Sequence, residues 1–264
     1  MAKLRAHFVL FGDSITQHSF ANEGWGAALA DLYSRKADVF LRGYSGYNTR
    51  WALSLLEKVF PKVSSSAPEV VTVFFGANDA ALPDRSSQRQ HVPVSEYKAN
   101  LHQIVSHIKG NSETTVVVLI TPPPVDEVGR RVYARATYGD KAEELPERTN
   151  EVTKLYAQAC KDVAKEAGVP VIDLWSLFQQ TQNWQQAYLS DGLHLTPRGS
   201  RVVFEELVNV LNCRPYLTAD ELPMDFPAFS EIDWKNPPSI FQAKECNTAH
   251  VLVLILSGFP DDSE

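Results

Sequence analysis

The sequence predicts an α/β fold: a three-layer sandwich in which helices cover both faces of a five-stranded parallel sheet. Three observations predict it. Short β-branched runs alternate with longer amphipathic runs along most of the chain, the order that builds a parallel sheet rather than hairpins. The run Val70–Phe75 is almost continuously apolar, as a parallel strand buried on both faces must be. At 264 residues, 44% hydrophobic and 22% charged, the chain can bury a core without disulfide or metal staples.

The elements follow in order. His7–Phe11 reads as the first strand, and about Gly24–Lys36 as a helix, with Trp25, Ala28, Leu29 and Leu32 at helical spacing. Asp38–Arg42 reads as the second strand and Thr49–Val63 as a helix on Trp51, Leu55, Leu56 and Val59. Val70–Phe75 is the third strand, Val94–Lys109 the next helix and Thr115–Ile120 the fourth strand. The segment from Thr121 to Pro146 reads as a long loop, because Pro122, Pro123 and Pro124 forbid regular pairing. Helix returns over about Glu147–Ala167, with Gly168 at the position that ends it. Val169–Asp173 is a short fifth strand. The last helix opens at Thr196-Pro197, a capping residue followed by proline at the first helical position, and runs to about Asn212. Right-handed crossovers make such a sheet doubly wound, and its chemistry belongs beyond the carboxyl ends of the strands.

The expected division is a domain over 1–213 and an acidic, proline-containing extension over 214–264, atypical after about Lys244. The extension holds nine acids and three bases, most of the net charge of −7. The rest of the chain is almost neutral, which argues against nucleic acid as a partner. Cys160, Cys213 and Cys246 are odd in number and widely spaced, so no disulfide framework is expected. No signal peptide is evident, and the longest apolar run, Val251–Leu256, is far short of a membrane span. The expectation is a cytoplasmic or other intracellular protein with no bound metal and no cofactor.

Three strand ends and one loop carry candidate chemistry. Strand one ends in Phe11-Gly12-Asp13-Ser14, where a serine follows a tight turn. Strand two ends in Gly43-Tyr44-Ser45-Gly46-Tyr47-Asn48, whose glycines expose backbone N–H groups that can cradle an oxyanion. Ser45 there is the rival nucleophile, in a near match to Gly-x-Ser-x-Gly. Strand three ends in Gly76-Ala77-Asn78-Asp79, and the Asn78 amide can donate to developing negative charge. Asp191-Gly192-Leu193-His194 precedes the last helix, with a carboxylate placed to orient an imidazole base. Singly, each has an ordinary structural explanation as a turn, a cap or an exposed pair.

Their conjunction, in this order, resembles the SGNH hydrolases, the GDSL-type esterase/lipase family. The likeness runs from about His7 to about Cys213. Phe11–Gln17 and Arg42–Arg50 are similar to the isoamyl acetate-hydrolysing esterase subgroup and its plant homologues. The resemblance implies a flavodoxin-like sheet and a metal-independent serine esterase of small acyl esters. It implies Ser14 as nucleophile, His194 as general base, Asp191 as the acid that orients it, and an oxyanion hole of Ser14, Gly46 and Asn78. Asp13 and Asp79 are expected to brace their turns. By position alone, Trp25, Tyr44, Tyr47 and the Pro122–Tyr138 loop are candidate walls of the substrate pocket. The run Asp126, Glu127, Arg130, Arg131 and Arg135 is expected to be a solvated loop face. Alternatives with the same chemistry are a lysophospholipase, a thioesterase and a carbohydrate deacetylase; a different class is a non-catalytic ligand-binding module on the same fold. A phosphate or nucleotide binder is disfavoured, since neither glycine-rich fingerprint occurs.

Overall fold

The computed structural model describes residues 5–62 and 67–236. Two compact units divide the chain, Met1–Leu222 and Pro223–Glu264. The hydrophobic stretch Ala249–Phe259, Cys246 and everything after Lys244 lie outside the described residues.

In the first unit, β1 (Ala6–Gly12) is followed by α1 (Ser14–Gln17), a single turn, and α2 (Trp25–Leu32). Strand β2 (Ala37–Gly43) leads to α3 (Thr49–Leu53) and α4 (Leu56–Val59). Strand β3 (Val70–Phe74) leads to α5 (Val94–Asn111), and β4 (Val116–Ile120) to α6 (Glu127–Tyr138) and α7 (Asn150–Ala167). Strand β5 (Val171–Ile172), α8 (Leu174–Gln179), α9 (Trp184–Tyr188) and α10 (Pro197–Asn212) complete the series.

The strands form one parallel sheet in the order β2-β1-β3-β4-β5. Their pleat sorts the core into two halves. Phe8, Leu10, Val70, Phe74, Val116, Val118 and Ile120 face Trp25 and Leu29 of α2, Phe178 of α8 and Val203, Leu207 and Leu211 of α10. Phe11, Val71, Val73, Val117 and Leu119 face Ala52, Leu56 and the buried stripes of α5 and α7. This is the expected sandwich. The first unit runs on past Cys213 to Leu222. Leu217 is fully buried in it, and its carbonyl accepts the Tyr33 hydroxyl at 2.9 Å.

Three expectations need correction. The helix expected over Thr49–Val63 is two, because Ser54 N and Leu55 N bond back to Trp51 O and Ala52 O, a tighter i→i−3 turn that ends α3; its expected end at Val63 lies outside the described residues. The long loop from Thr121 to Pro146 contains α6. The three prolines stop before it, and Asp126 caps it by accepting from Val128 N at 3.1 Å. Helix α7 begins at Asn150, where Thr149 is the cap, so Glu147 and Arg148 stand before it in non-helical backbone.

Candidate active site

The strand order reverses between β1 and β3, and an open α/β sheet holds its ligand crevice beyond the carboxyl ends at such a point. The turns after β1, β2 and β3 bring Ser14, Gly46 and Asn78 to this edge. Ser14 opens α1, so its backbone N–H has no acceptor within the helix. Asp13 caps the turn through Oδ1 to Ile15 N at 2.9 Å, and its own N–H ties the turn to Phe74 O of β3.

Ser14 Oγ lies 2.9 Å from His194 Nε2, and His194 Nδ1 lies 2.8 Å from Asp191 Oδ2. The other oxygen, Asp191 Oδ1, accepts from Leu193 N at 3.0 Å and His194 N at 2.8 Å. The carboxylate thus folds its own loop around itself. Gly192 sits at φ +83°, and a Cβ there would meet Asp126 O at 2.5 Å and Arg130 N at 2.6 Å, so this position requires glycine. Burial pushes the Asp191 carboxyl up, but the hydrogen bonds and charge of His194, with Arg130 behind, outweigh it and hold the group well below the usual carboxylate range.

Gly46 adopts φ +80°, and a Cβ there would come no nearer to a neighbour than Gln90 Nε2 at 3.4 Å. Its need for glycine is conformational, not a matter of space. Asn78 donates from Nδ2 to Tyr47 O at 2.9 Å and accepts at Oδ1 from Arg148 Nη2 at 3.1 Å. Asp79 braces the same loop: its Oδ1 accepts from Thr49 N at 3.0 Å and from the Thr49 hydroxyl. Asp13 and Asp79 are both fully buried, and each has an Oδ2 with no partner. Burial, only partly offset by these hydrogen bonds, pushes both carboxyls up to about 7.

The structure brings Ser14, Gly46, Asn78, Asp191 and His194 to one edge of the sheet, and seats the other candidates differently. Ser45 is exposed, its N–H bonded to Gln17 Oε1; the imidazole meets Ser14 instead. Trp25 is core: it is 1% exposed, and its indole donates to Ile15 O. It also lines a cavity of about 660 Å³ together with Gly24, Ala28, Pro197 and Phe204. That cavity shares Gly24 and Pro197 with one of about 270 Å³ that reaches His18 and His194. Tyr47 borders a cavity of about 350 Å³ together with Gly46, Trp51, Ser87 and Gln90. Tyr44 stands behind it, edge-on to Phe11 and against the Tyr47 ring.

The charge run also needs correction. Arg130 is buried, not solvated: Nη1 reaches Asp191 Oδ2 at 3.0 Å and Nε reaches Glu147 Oε1 at 2.8 Å. Arg148 Nη1 meets the same Glu147 oxygen at 2.8 Å. Burial raises the Glu147 carboxyl, yet the two guanidiniums outweigh it and leave it below its ordinary value. Sequence reasoning passed over Glu147 and Arg148. The signal available was an Arg-rich segment between the Gly76–Asp79 and Asp191–His194 motifs, with no apolar period to show which charge turns inward. Among the described residues, no three His, Cys, Asp or Glu side chains cluster as a metal site, and no helix is long and apolar enough to cross a membrane.

Fold and chemistry together place the chain among the carboxylic ester hydrolases. It belongs to the GDSL-like lipase/acylhydrolase family, whose model matches residues 8–207. It is 57% identical to the GDSL esterase/lipase At5g62930 of Arabidopsis thaliana, over 91% of this chain and 99% of that one. It is 42% identical to the human isoamyl acetate-hydrolyzing esterase 1 homolog, over 89% and 92%. Among solved structures, the Enterococcus faecalis lipase/acylhydrolase superposes with a TM-score of 0.60 at 27% identity, covering 79% of this chain and 96% of that one.

Proposed function

We propose that the protein is a serine esterase of small acyl esters that works through an acyl-enzyme on Ser14. The observation that carries the reading is the unbroken series from Ser14 Oγ to His194 Nε2 at 2.9 Å and from His194 Nδ1 to Asp191 Oδ2 at 2.8 Å. His194 takes the serine proton as Oγ attacks the ester carbonyl, then delivers it to the departing alcohol. Asp191 fixes the ring so that Nε2 is the basic nitrogen, and stabilises the imidazolium. The tetrahedral oxyanion accepts from Ser14 N, Gly46 N and Asn78 Nδ2. Water, deprotonated by the same imidazole, then releases the acid.

A small acyl group is supported by the name of the human relative. An intracellular setting is supported by the free thiols of Cys160 and Cys213. The test is a series of nitrophenyl esters of increasing acyl length. Short acyl chains should turn over fastest, and Ser14→Ala should lose roughly 10⁴-fold or more in kcat while keeping its circular-dichroism spectrum. Activity retained in Ser14→Ala but lost in Ser45→Ala would overturn the nucleophile; a steady rise with acyl length would overturn the substrate class.

A further inference from the structure

Arg148 stands immediately before the Thr149 cap of α7, and its side chain is 3% exposed. Nη1 of its guanidinium meets Glu147, and Nε and Nη2 turn toward the loops that carry Asn78 and Gly46. Nε donates to Ala77 O at 2.7 Å, and Nη2 to Asn78 Oδ1 at 3.1 Å and to Gln90 Oε1 at 2.5 Å. Gln90 passes the contact on: its Nε2 donates to Gly46 O at 3.1 Å, and its own carbonyl accepts from Asn48 Nδ2 at 2.9 Å. The guanidinium therefore grips both the backbone and the side chain of the loop after β3. Through one glutamine it also reaches the loop after β2.

The consequence for Asn78 is an amide with one satisfied orientation. As placed, Oδ1 faces a cation and one Nδ2 hydrogen faces Tyr47 O. The second Nδ2 hydrogen is left for a developing oxyanion. Flipped, the amide would set its NH₂ against the guanidinium and its oxygen against the Tyr47 carbonyl, losing both bonds and gaining two repulsions. A lysine ammonium could hold one of these acceptors, but not the planar fork that reaches Ala77, Asn78, Gln90 and Glu147 together. Glu147 anchors the fork from behind and is itself held by Arg130, which reaches Asp191.

We propose that Arg148 is the positioning residue of the oxyanion cradle, orienting the Asn78 amide directly and the Gly46 turn through Gln90. This rests on the esterase reading above. The test is a double-mutant cycle on kcat and KM with a short-chain nitrophenyl ester, using Asn78→Ala, Arg148→Lys and the pair. Asn78→Ala should cut kcat by roughly 10²–10³. Arg148→Lys should cut kcat about tenfold with KM changed by less than about twofold, as expected for support of a contact made in the transition state. In the Asn78→Ala background the same Arg148 change should cost no more than about threefold, because the amide it orients is gone. An equal factor in both backgrounds, or unchanged kcat in folded Arg148→Lys, would overturn the proposal. If Arg148→Lys does not fold, Gln90→Ala takes its place, since it cuts the arm to Gly46 and leaves the Arg148–Glu147 pair intact. A several-fold fall in kcat at constant KM supports the proposal, and wild-type kcat overturns it. Full activity in Asn78→Ala would instead sink the oxyanion assignment on which the proposal rests, so the two failures read differently.

Discussion

At the residue scale, Glu147 shows how much a single buried carboxylate can hold. One oxygen accepts from Arg130 and Arg148, and all three side chains are less than a tenth exposed. Removing one member of a buried charge group leaves the others uncompensated, at a cost of about 3–5 kcal/mol. Glu147→Ala should therefore lower unfolding stability by about that much, as read from urea denaturation, whereas exposed Glu205, paired with Arg201 on α10, should cost less than about 1 kcal/mol on removal. An equal loss for both would show that the buried group contributes no more than a surface pair. The same burial explains which parts of the site were legible beforehand. Ser14, Gly46 and Asn78 stand at the ends of strands with clear hydrophobic runs, and Asp191 and His194 share one short turn. Arg130, Glu147 and Arg148 lie in a polar stretch without period. The acceptors that draw the two arginines inward, Asp191 O and Oδ2, Ala77 O and Asn78 Oδ1, come from distant parts of the chain, and Glu147 follows as their shared acceptor.

Elements were legible in proportion to the apolar face they bury. Helices α5, α7 and α10 each present a continuous stripe to the sheet, and their periodicity can be read directly. Helix α6 buries only Arg130; with no apolar stripe, it reads as loop. Helices α8 and α9 span only six and five residues, too few for a period to declare itself. Capping chemistry was clearer. Gly168 ends α7 in the left-handed region at φ 63°. Thr196 starts α10 with its Oγ1 accepting from Gly199 N at 3.1 Å while donating to Ala187 O at 2.7 Å. That hydroxyl both caps α10 and pins the end of α9, next to the turn that carries His194. Thr196→Ala should cost about 1–2 kcal/mol of stability, and Thr196→Ser, which keeps the hydroxyl, only a fraction of that. Equal losses in the two variants, measured by urea midpoints, would assign the effect to the methyl group instead.

Across the whole molecule, the buried carboxyls pull stability in opposite directions along the pH scale. Asp13 and Asp79 hold their protons in the folded chain up to about pH 7, while in the unfolded chain they release them near 4. Between those values the folded state binds more protons than the unfolded one, so stability falls as pH rises, and the loss is complete above about 7. Asp191 and Glu147 act in the other direction. Their carboxyls lie below their ordinary values, so the stability they contribute is present above about pH 4–5 and is lost as pH falls below it. The two trends put the maximum at about pH 5, and stability should fall by on the order of a few kcal/mol from there to pH 8. Asp13→Asn and Asp79→Asn keep the Oδ1 acceptors used by Ile15 N and Thr49 N and remove the titration. The double variant should therefore show a nearly level profile over that range in urea melts. A wild-type profile that climbs from pH 5 to 8 would contradict the argument.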